Sequence, residues 1–411
     1  MKIAVILNCY PQTTETFIAQ ELLGLEQSGV TLDIFSLELP KGVTPNTLNA
    51  SIRACVHYVP HPGNDPITSA REALRARKLP GYRAARSLLA EDMRAHPDVR
   101  HLLRFAQACA VANHLGSPDL LFAHFINRPA GVARYVSVLK GVPWVCSAHA
   151  KDIWMQADHD LEARLASARW VVTCSGHGYE RLKSLSPRPE TVHLQHHGLD
   201  LDRFAPFEGE REARTGSSEA DPIRLLTVAR AVPKKGLDTL IDALALLPRD
   251  LHWTWTHAGG GNTAPFRTQA EALGIAARMR FLGARPQEAI MDLYRDSDLF
   301  VLPCRTARDG DRDGVPNVLA EAASQRLPIV SSREPGVMEL LDDGESALLA
   351  PADDARALAE AISSLARDPA RRARLAAAAE QRVRRDYDYR ESIRFLKARF
   401  EAQVQARAKD R

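Results

Sequence analysis

The stretch Val301–Leu349, VLPCRTARDGDRDGVPNVLAEAASQRLPIVSSREPGVMELLDDGESALL, decides the architecture. It opens on a short apolar run that ends at Pro303, crosses a polar Gly/Asp loop and enters a helical segment near Pro316 or Asn317. Two more short apolar runs follow, Pro328–Ser331 and Ala347–Leu349, with a further helical segment between them. Short apolar runs bounded by Pro or Gly and separated by helices predict parallel strands with both faces covered.

The alternation extends in both directions. Upstream, Ile223–Ala229, Leu251–His257, Met279–Leu282 and Leu299–Pro303 read as strands of the same sheet. Before them, Ala205–Pro222 (APFEGEREARTGSSEADP) is polar and aperiodic, and reads as a linker. The first half repeats the pattern with strands at Lys2–Leu7, Thr31–Leu39, Leu120–Phe125, Pro143–Ser147, Val171–Cys174 and Val192–Gln195. Thr14 is placed to N-cap a helix whose apolar face is Phe17, Ile18, Leu22 and Leu25 and which closes at Gly29. The expected fold is α/β, with two doubly wound domains at 1–204 and 223–388, a linker at 205–222 and Ala- and Arg-rich helices to the end. Ligands of such sheets sit at the carboxyl ends of the strands, which makes the cleft between the halves the default site.

Composition narrows the function classes. The 411 residues suit two domains, and 45% apolar with 26% charged residues is ordinary globular usage. With 54 basic and 51 acidic residues the net charge is +3, too balanced for a partner whose charge is a nucleic-acid backbone. Six widely spaced cysteines (9, 55, 109, 146, 174 and 304) form no Cys-x-x-Cys pattern, which suits a reducing, cytoplasmic setting. No run of about 18 apolar residues offers a membrane span. Residues 66–115 are helical and basic on one side (Arg71, Arg75, Arg77, Lys78, Arg83, Arg86, Arg94), which fits a solvated face or a peripheral contact with a membrane surface.

The loops after the strands carry the chemistry. Asp313 and Glu321 lie eight positions apart, one before a helix start and one inside it. Free amides and the positive helix end suit phosphate, and two carboxylates suit ribose or sugar hydroxyls, so the pattern fits a sugar nucleotide. Asp309-x-Asp311-x-Asp313-Gly314 matches half of a calcium loop, but the twelfth position is Ala320 and Glu321 comes one place late. In Thr227–Gly236 (TVARAVPKKG), Arg230 and Lys235 flank a helix start as two cations suited to a diphosphate leaving group. His257–Gly261 (HAGGG) permits close backbone approach. His149, in SAHAKD, and His124 each end a strand and are either packed structural residues or groups that meet a substrate hydroxyl. His193, His196 and His197 lie along one strand, where alternation sets neighbouring side chains on opposite faces and argues against a metal cluster.

Taken in order, Tyr10-Pro11, Glu15–Ile18, Ser147–Ile153, Gly198–Asp200, Arg230, Lys235-Gly236, Phe281–Gly283 and Asp313-Gly-Val-Pro…Glu321-Ala resemble glycosyltransferase family 4, in its exopolysaccharide and colanic acid branch. The resemblance implies a GT-B fold and retaining, metal-independent transfer of a hexosyl group from a UDP- or GDP-sugar, with no cofactor, to a saccharide or lipid-linked saccharide. It assigns Arg230 and Lys235 to the diphosphate, Asp313 and His149 to the donor sugar and Glu321 to the ribose. The backbone of Gly314, Val315, Pro316, Asn317, Val318 and Leu319, with Gly259, Gly260 and Arg280, would complete the donor pocket. Glu15, Thr16, His124, Lys151 and Asp152 would face the acceptor, and the last helix, about 389–409, would return to the first domain. Three positions depart from the pattern: Asp313 replaces Glu, Arg326 stands where Gly is expected before Leu327-Pro328, and His197 replaces Asn before Gly198. They keep two alternatives in play, a scaffold of this fold with impaired catalysis and a sugar-nucleotide epimerase.

Overall fold

The computed structural model describes residues 1–12, 15–40, 47–209 and 211–409. The chain divides into two units, Met1–His197 with Arg390–Arg411, and Gly198–Tyr389. The first holds a seven-stranded parallel sheet of β1 (Lys2–Leu7), β2 (Thr31–Ser36), β3 (Cys55–Tyr58), β4 (Leu120–His124), β5 (Trp144–Ala148), β6 (Val171–Thr173) and β7 (Val192–Leu194). Its order is β3-β2-β1-β4-β5-β6-β7, so the winding reverses between β1 and β4. The second holds six parallel strands, β8 (Ile223–Val228), β9 (Trp253–Ala258), β10 (Met279–Phe281), β11 (Leu299–Leu302), β12 (Ile329–Ser332) and β13 (Leu348–Ala350). Their order, β10-β9-β8-β11-β12-β13, reverses between β8 and β11.

Helices on both faces explain why the strands read as unbroken apolar runs: β4 and β5 are buried along their whole length, as is β11. The exception is β3, which the sequence pattern does not reveal. It is a half-exposed edge strand, CVHY, with too little buried surface to leave an apolar run. Thr14 lies outside the described residues; the first helix runs Thr16–Gln27, with Glu15 at its N-cap and no side-chain cap bond.

The boundary between the units falls at His197/Gly198, ahead of the compositional break at Ala205. The Leu199 amide donates to the Tyr387 carbonyl (2.7 Å), and Leu199 and Phe204 are buried in the second unit's core. The polar segment expected to be an interdomain linker is strapped to the same unit. Arg211 donates to the carbonyls of Tyr294, Arg295, Ser297, Gln325 and Arg326, at the carboxyl ends of the helices Gln287–Asp296 and Asn317–Ser324. A cation there meets the orphan carbonyls and the negative dipole end of two helices at once. Arg214 pairs with Asp221 (2.9 Å) and Asp298 (3.4 Å). The helix Tyr389–Lys409 takes the chain back to the first unit, where Phe400 is fully buried and Lys397 donates to the Ser28 carbonyl (2.7 Å).

Candidate active site

In the second unit, chemistry gathers at the carboxyl ends of β8 and β11, the pair between which the winding reverses. Gly236 sits in the left-handed region (φ 62°), and a Cβ there would lie 2.1 Å from the Pro303 carbonyl oxygen. Glycine is therefore what lets the loop after β8 touch the end of β11. This approach delivers two lysines onto the loop that follows β11. The Lys234 ammonium donates to Asp311 Oδ1 (3.0 Å) and the Arg312 carbonyl (3.2 Å), and lies 3.4 Å from Asp313 Oδ1. Lys235 Nζ donates to Asp313 Oδ2 (2.6 Å), with 11% and 16% of the two side chains exposed. The Cys304 thiol donates to the same carboxylate (3.5 Å). Burial alone would raise the Asp313 carboxyl, but Lys235 and Lys234 together hold it below its ordinary range; burial would lower Lys235, and Asp313 raises it. The carboxylates that a calcium loop would aim at an ion, Asp311 and Asp313, are held by ammonium groups instead.

Arg230 lies exposed beyond β8, and no carboxylate among the described residues pairs with it. Glu321, in the first turns of Asn317–Ser324, accepts from the Tyr294 hydroxyl (2.9 Å); burial keeps its carboxyl above the ordinary value, with Tyr294 and Arg203 pulling the other way. Gly336 backs the loop, since a Cβ on it would lie 1.7 Å from the Gly314 carbonyl oxygen. Pro316 caps the helix Asn317–Ser324 without a side-chain bond. Gly314, Val315, Asn317 and Val318 are all partly exposed around this helix start.

Some residues assigned to this pocket lie elsewhere in function or in space. The Leu319 amide is spent on the Pro316 carbonyl (3.0 Å) and its side chain is core. The Gly259 amide donates to the Gly283 carbonyl (2.9 Å), and a Cβ on it would lie 1.7 Å from the Ala229 oxygen; its role is close approach of β9 to β8, while Gly260 is open. Arg280 lies exposed in mid-strand on the edge strand β10, away from the switch point. Arg326 follows the far end of Asn317–Ser324 at φ 51°, the conformation that glycine supplies without strain, and its guanidinium pairs with Glu380. It is therefore not a cation of the donor loop.

In the first unit the matching point is the carboxyl ends of β1, β4 and β5. His124 and Ser147 are register partners, so the residues after them meet. Asp152 is buried and accepts from the amides of Ile126 and His149 (the latter at 2.8 Å), tying both strand ends together. Burial pushes its carboxyl up to about 7 against the pull of those amides. Between them Phe125 is held at φ 78°, rare for an aromatic residue, with its ring 4.8 Å from that of His149. Asp152 is thus a positioning residue rather than an acceptor contact. His124 is fully buried, 3.0 Å from Glu21 Oε1, and is not available to an acceptor either. Lys151 is exposed, and Glu15 and Thr16 are partly exposed at the start of the first helix.

Glu21 is the centre that sequence reasoning missed. Burial would raise its carboxyl, but His124 and His197 bring it down to about 2; His197, despite burial, is raised to about 10 by Cys174 and Glu21. His149 lies well below the ordinary imidazole value through burial and then the nearness of His197 and His124. A charged His197 therefore donates from Nε2 to Nδ1 of a neutral His149 (3.1 Å), which leaves the proton of His149 on Nε2. That Nε2 is buried and unpartnered. The histidine triplet is dispersed as alternation requires: His193 faces Arg399 (3.4 Å) and His196 donates to the Cys174 carbonyl (3.0 Å).

The model for glycosyl transferases group 1 matches residues 210–382. The chain carries a group 1 glycosyltransferase domain. It is 25% identical over 407 residues to the amylovoran biosynthesis glycosyltransferase AmsK of Erwinia amylovora, covering 96% of this chain and 98% of that protein. It is 30% identical over 261 residues to a GDP-mannose-dependent alpha-(1-6)-phosphatidylinositol monomannoside mannosyltransferase of Mycolicibacterium smegmatis, covering 62% and 66%. Among solved structures, HepE of Anabaena in complex with UDP and glucose superposes with a TM-score of 0.70 at 18% identity, over 98% of this chain and 99% of that one. The fold is GT-B, with two parallel α/β sheets.

Proposed function

We propose that this glycosyltransferase moves a hexosyl group, with retention, from a UDP- or GDP-sugar to a saccharide or lipid-linked saccharide in exopolysaccharide synthesis, and needs no metal ion. The observation that supports it best is Arg230, without a carboxylate partner, beside a Lys235 already fixed by Asp313 at the switch point of the second sheet. A diphosphate between them meets one ammonium already held in place and one guanidinium with no carboxylate to leave as the leaving-group charge grows. The acceptor hydroxyl attacks from the face the diphosphate leaves, and a phosphate oxygen takes its proton. Asp313 orients the transferred sugar, and Glu321 holds the ribose. The names of relatives support both donor classes, GDP-mannose in the mycobacterial enzyme and UDP in HepE. AmsK supports the polysaccharide setting.

A membrane-surface acceptor fits the helix Pro66–Ala76, which exposes Ile67 and Leu74 together with Arg71 and Arg75. Among the described residues no helix is long and apolar enough to cross a membrane.

The test is a melting panel with UDP-, GDP- and ADP-sugars, each with and without EDTA. Ligand at a hundred times its dissociation constant adds about 2.7 kcal/mol and raises the midpoint by several degrees. One nucleotide class shifting the melt regardless of chelator is the expected result. Lys235→Ala is expected to lose at least about a hundredfold in transfer rate, close to 3 kcal/mol of barrier, while staying folded. Near-normal turnover would remove Lys235 from the diphosphate site. No shift with any nucleotide would favour the non-catalytic scaffold, in which Asp313 has neutralised the lysine that a donor needs.

A further inference from the structure

The carboxyl ends of β5, β6 and β7 are neighbours in the sheet, and each delivers a metal-ligating side chain within three residues of its last strand position: His149, Cys174 and His197. One ligand atom from each lies within 4.8 Å of the other two, and the two imidazole nitrogens are 3.1 Å apart. On a tetrahedral zinc ion with Zn–N near 2.0–2.1 Å and Zn–S near 2.3 Å, ligand atoms stand about 3.3–3.6 Å from one another. The cluster is thus within about an ångström of a coordinating arrangement. An independent feature points the same way. The far nitrogen of His197, Nδ1, lies 3.8 Å from Oε2 of the buried Glu21, the carboxylate–histidine pairing that orients imidazole ligands on metals.

We propose that His149 Nδ1, His197 Nε2 and Cys174 Sγ form a three-ligand site for a thiophilic divalent ion of the zinc class, with the fourth position open. One sulfur and two imidazoles select zinc or cobalt over magnesium or calcium, which take oxygen ligands. On entry the ion replaces the proton between the two rings, and that proton and the thiol proton leave to solvent. His149 keeps its own proton on Nε2. The site is separate from the nucleotide chemistry of the second unit and is additional to the metal-independent transfer proposed above. Loss of one reading leaves the other standing.

The full chain, stripped with EDTA and dialysed, is titrated with Zn2+ by calorimetry and with Co2+ by absorption spectroscopy. The expected result is one equivalent of either ion per chain, a tetrahedral cobalt spectrum and a thiolate-to-cobalt charge-transfer band. Cys174→Ser should abolish that band, and Cys174→Ser and His197→Asn should each weaken Zn2+ at least a hundredfold. His193→Asn, on the same strand but outside the cluster, should change nothing. No stoichiometric uptake at micromolar Zn2+, or uptake untouched by both Cys174→Ser and His197→Asn, would overturn the site. If Cys174→Ser does not fold, His197→Asn, which restores the residue of the family pattern, decides alone.

Discussion

Asp313 is one methylene shorter than the residue the family pattern has at its position, and in the structure it holds Lys235 at 2.6 Å with little exposure. The pairing makes stability depend on pH at both ends. Asp313 titrates below its ordinary value of 3.8, so its contribution is complete above that pH and is lost as pH falls through the lower folded value. Lys235 titrates above 10.5, so its contribution is complete below that pH and is lost as pH rises further. Urea midpoints of the second unit should therefore be level between these limits and fall on both sides. Asp313→Asn should flatten the acid limb and cost about 3 kcal/mol at neutral pH, because two lysines lose a carboxylate in a largely buried place. An unchanged acid limb in that variant would show the pair to be solvated.

Arg326 tests the opposite case, a conspicuous substitution that the structure makes bland. Its left-handed backbone costs about 1–2 kcal/mol against glycine, while its half-exposed pair with Glu380 contributes at most about 1 kcal/mol. Glu380 also keeps Arg384 at 2.8 Å. Arg326→Gly should leave stability within about 1 kcal/mol and donor turnover within about twofold, read by melting and initial rates. A changed donor preference would place the guanidinium in the pocket after all.

At the scale of elements, the loop after β11 is held by what lies behind it. Gly336, at the start of the helix Pro335–Met338, touches the Gly314 carbonyl with no room for a methyl group. Gly336→Ala must displace one backbone or the other, at about 1–3 kcal/mol. It should weaken the nucleotide-dependent melt shift more than a distant substitution of equal destabilisation, for example Leu349→Ala. Equal loss in both would mean that the loop does not depend on its backing. This residue shows the limit of sequence reading. Lys235 and Asp313 stand out because each lies in a loop that follows an apolar run, where topology directs a ligand, and Glu321 because it lies on the helix that the second loop enters. Gly336 and Gly236 do not, because their glycines serve contacts with residues 22 and 67 positions away. Glu21 and Cys174 were hidden for a related reason. A buried carboxylate inside an amphipathic helix and a cysteine ending a strand both look like ordinary core until the order of β1, β4, β5, β6 and β7 gathers them. The polar strap around Arg211 misled in the other direction, since hydrogen bonding to helix-end carbonyls leaves no apolar signature.

For the whole molecule, the consequence lies in how the chain is threaded. The first unit is built from both ends of the sequence, with the second inserted between them. Phe400 is completely buried, its ring 5.1 Å from that of Phe122 in β4 and 5.7 Å from Trp170 before β6. The C-terminal helix thus covers the sheet that positions His124 and His149, although it begins 265 and 240 positions after them in sequence. Phe400→Ala removes a large core side chain and should cost the first unit about 3–5 kcal/mol. Hydrogen exchange would resolve where the loss falls. Amides of β4, β5 and β6 should exchange faster, while those of β8 and β11 keep their protection, since the second unit's core contains no residue of this helix. Faster exchange throughout would instead mean that the two units unfold as one cooperative body.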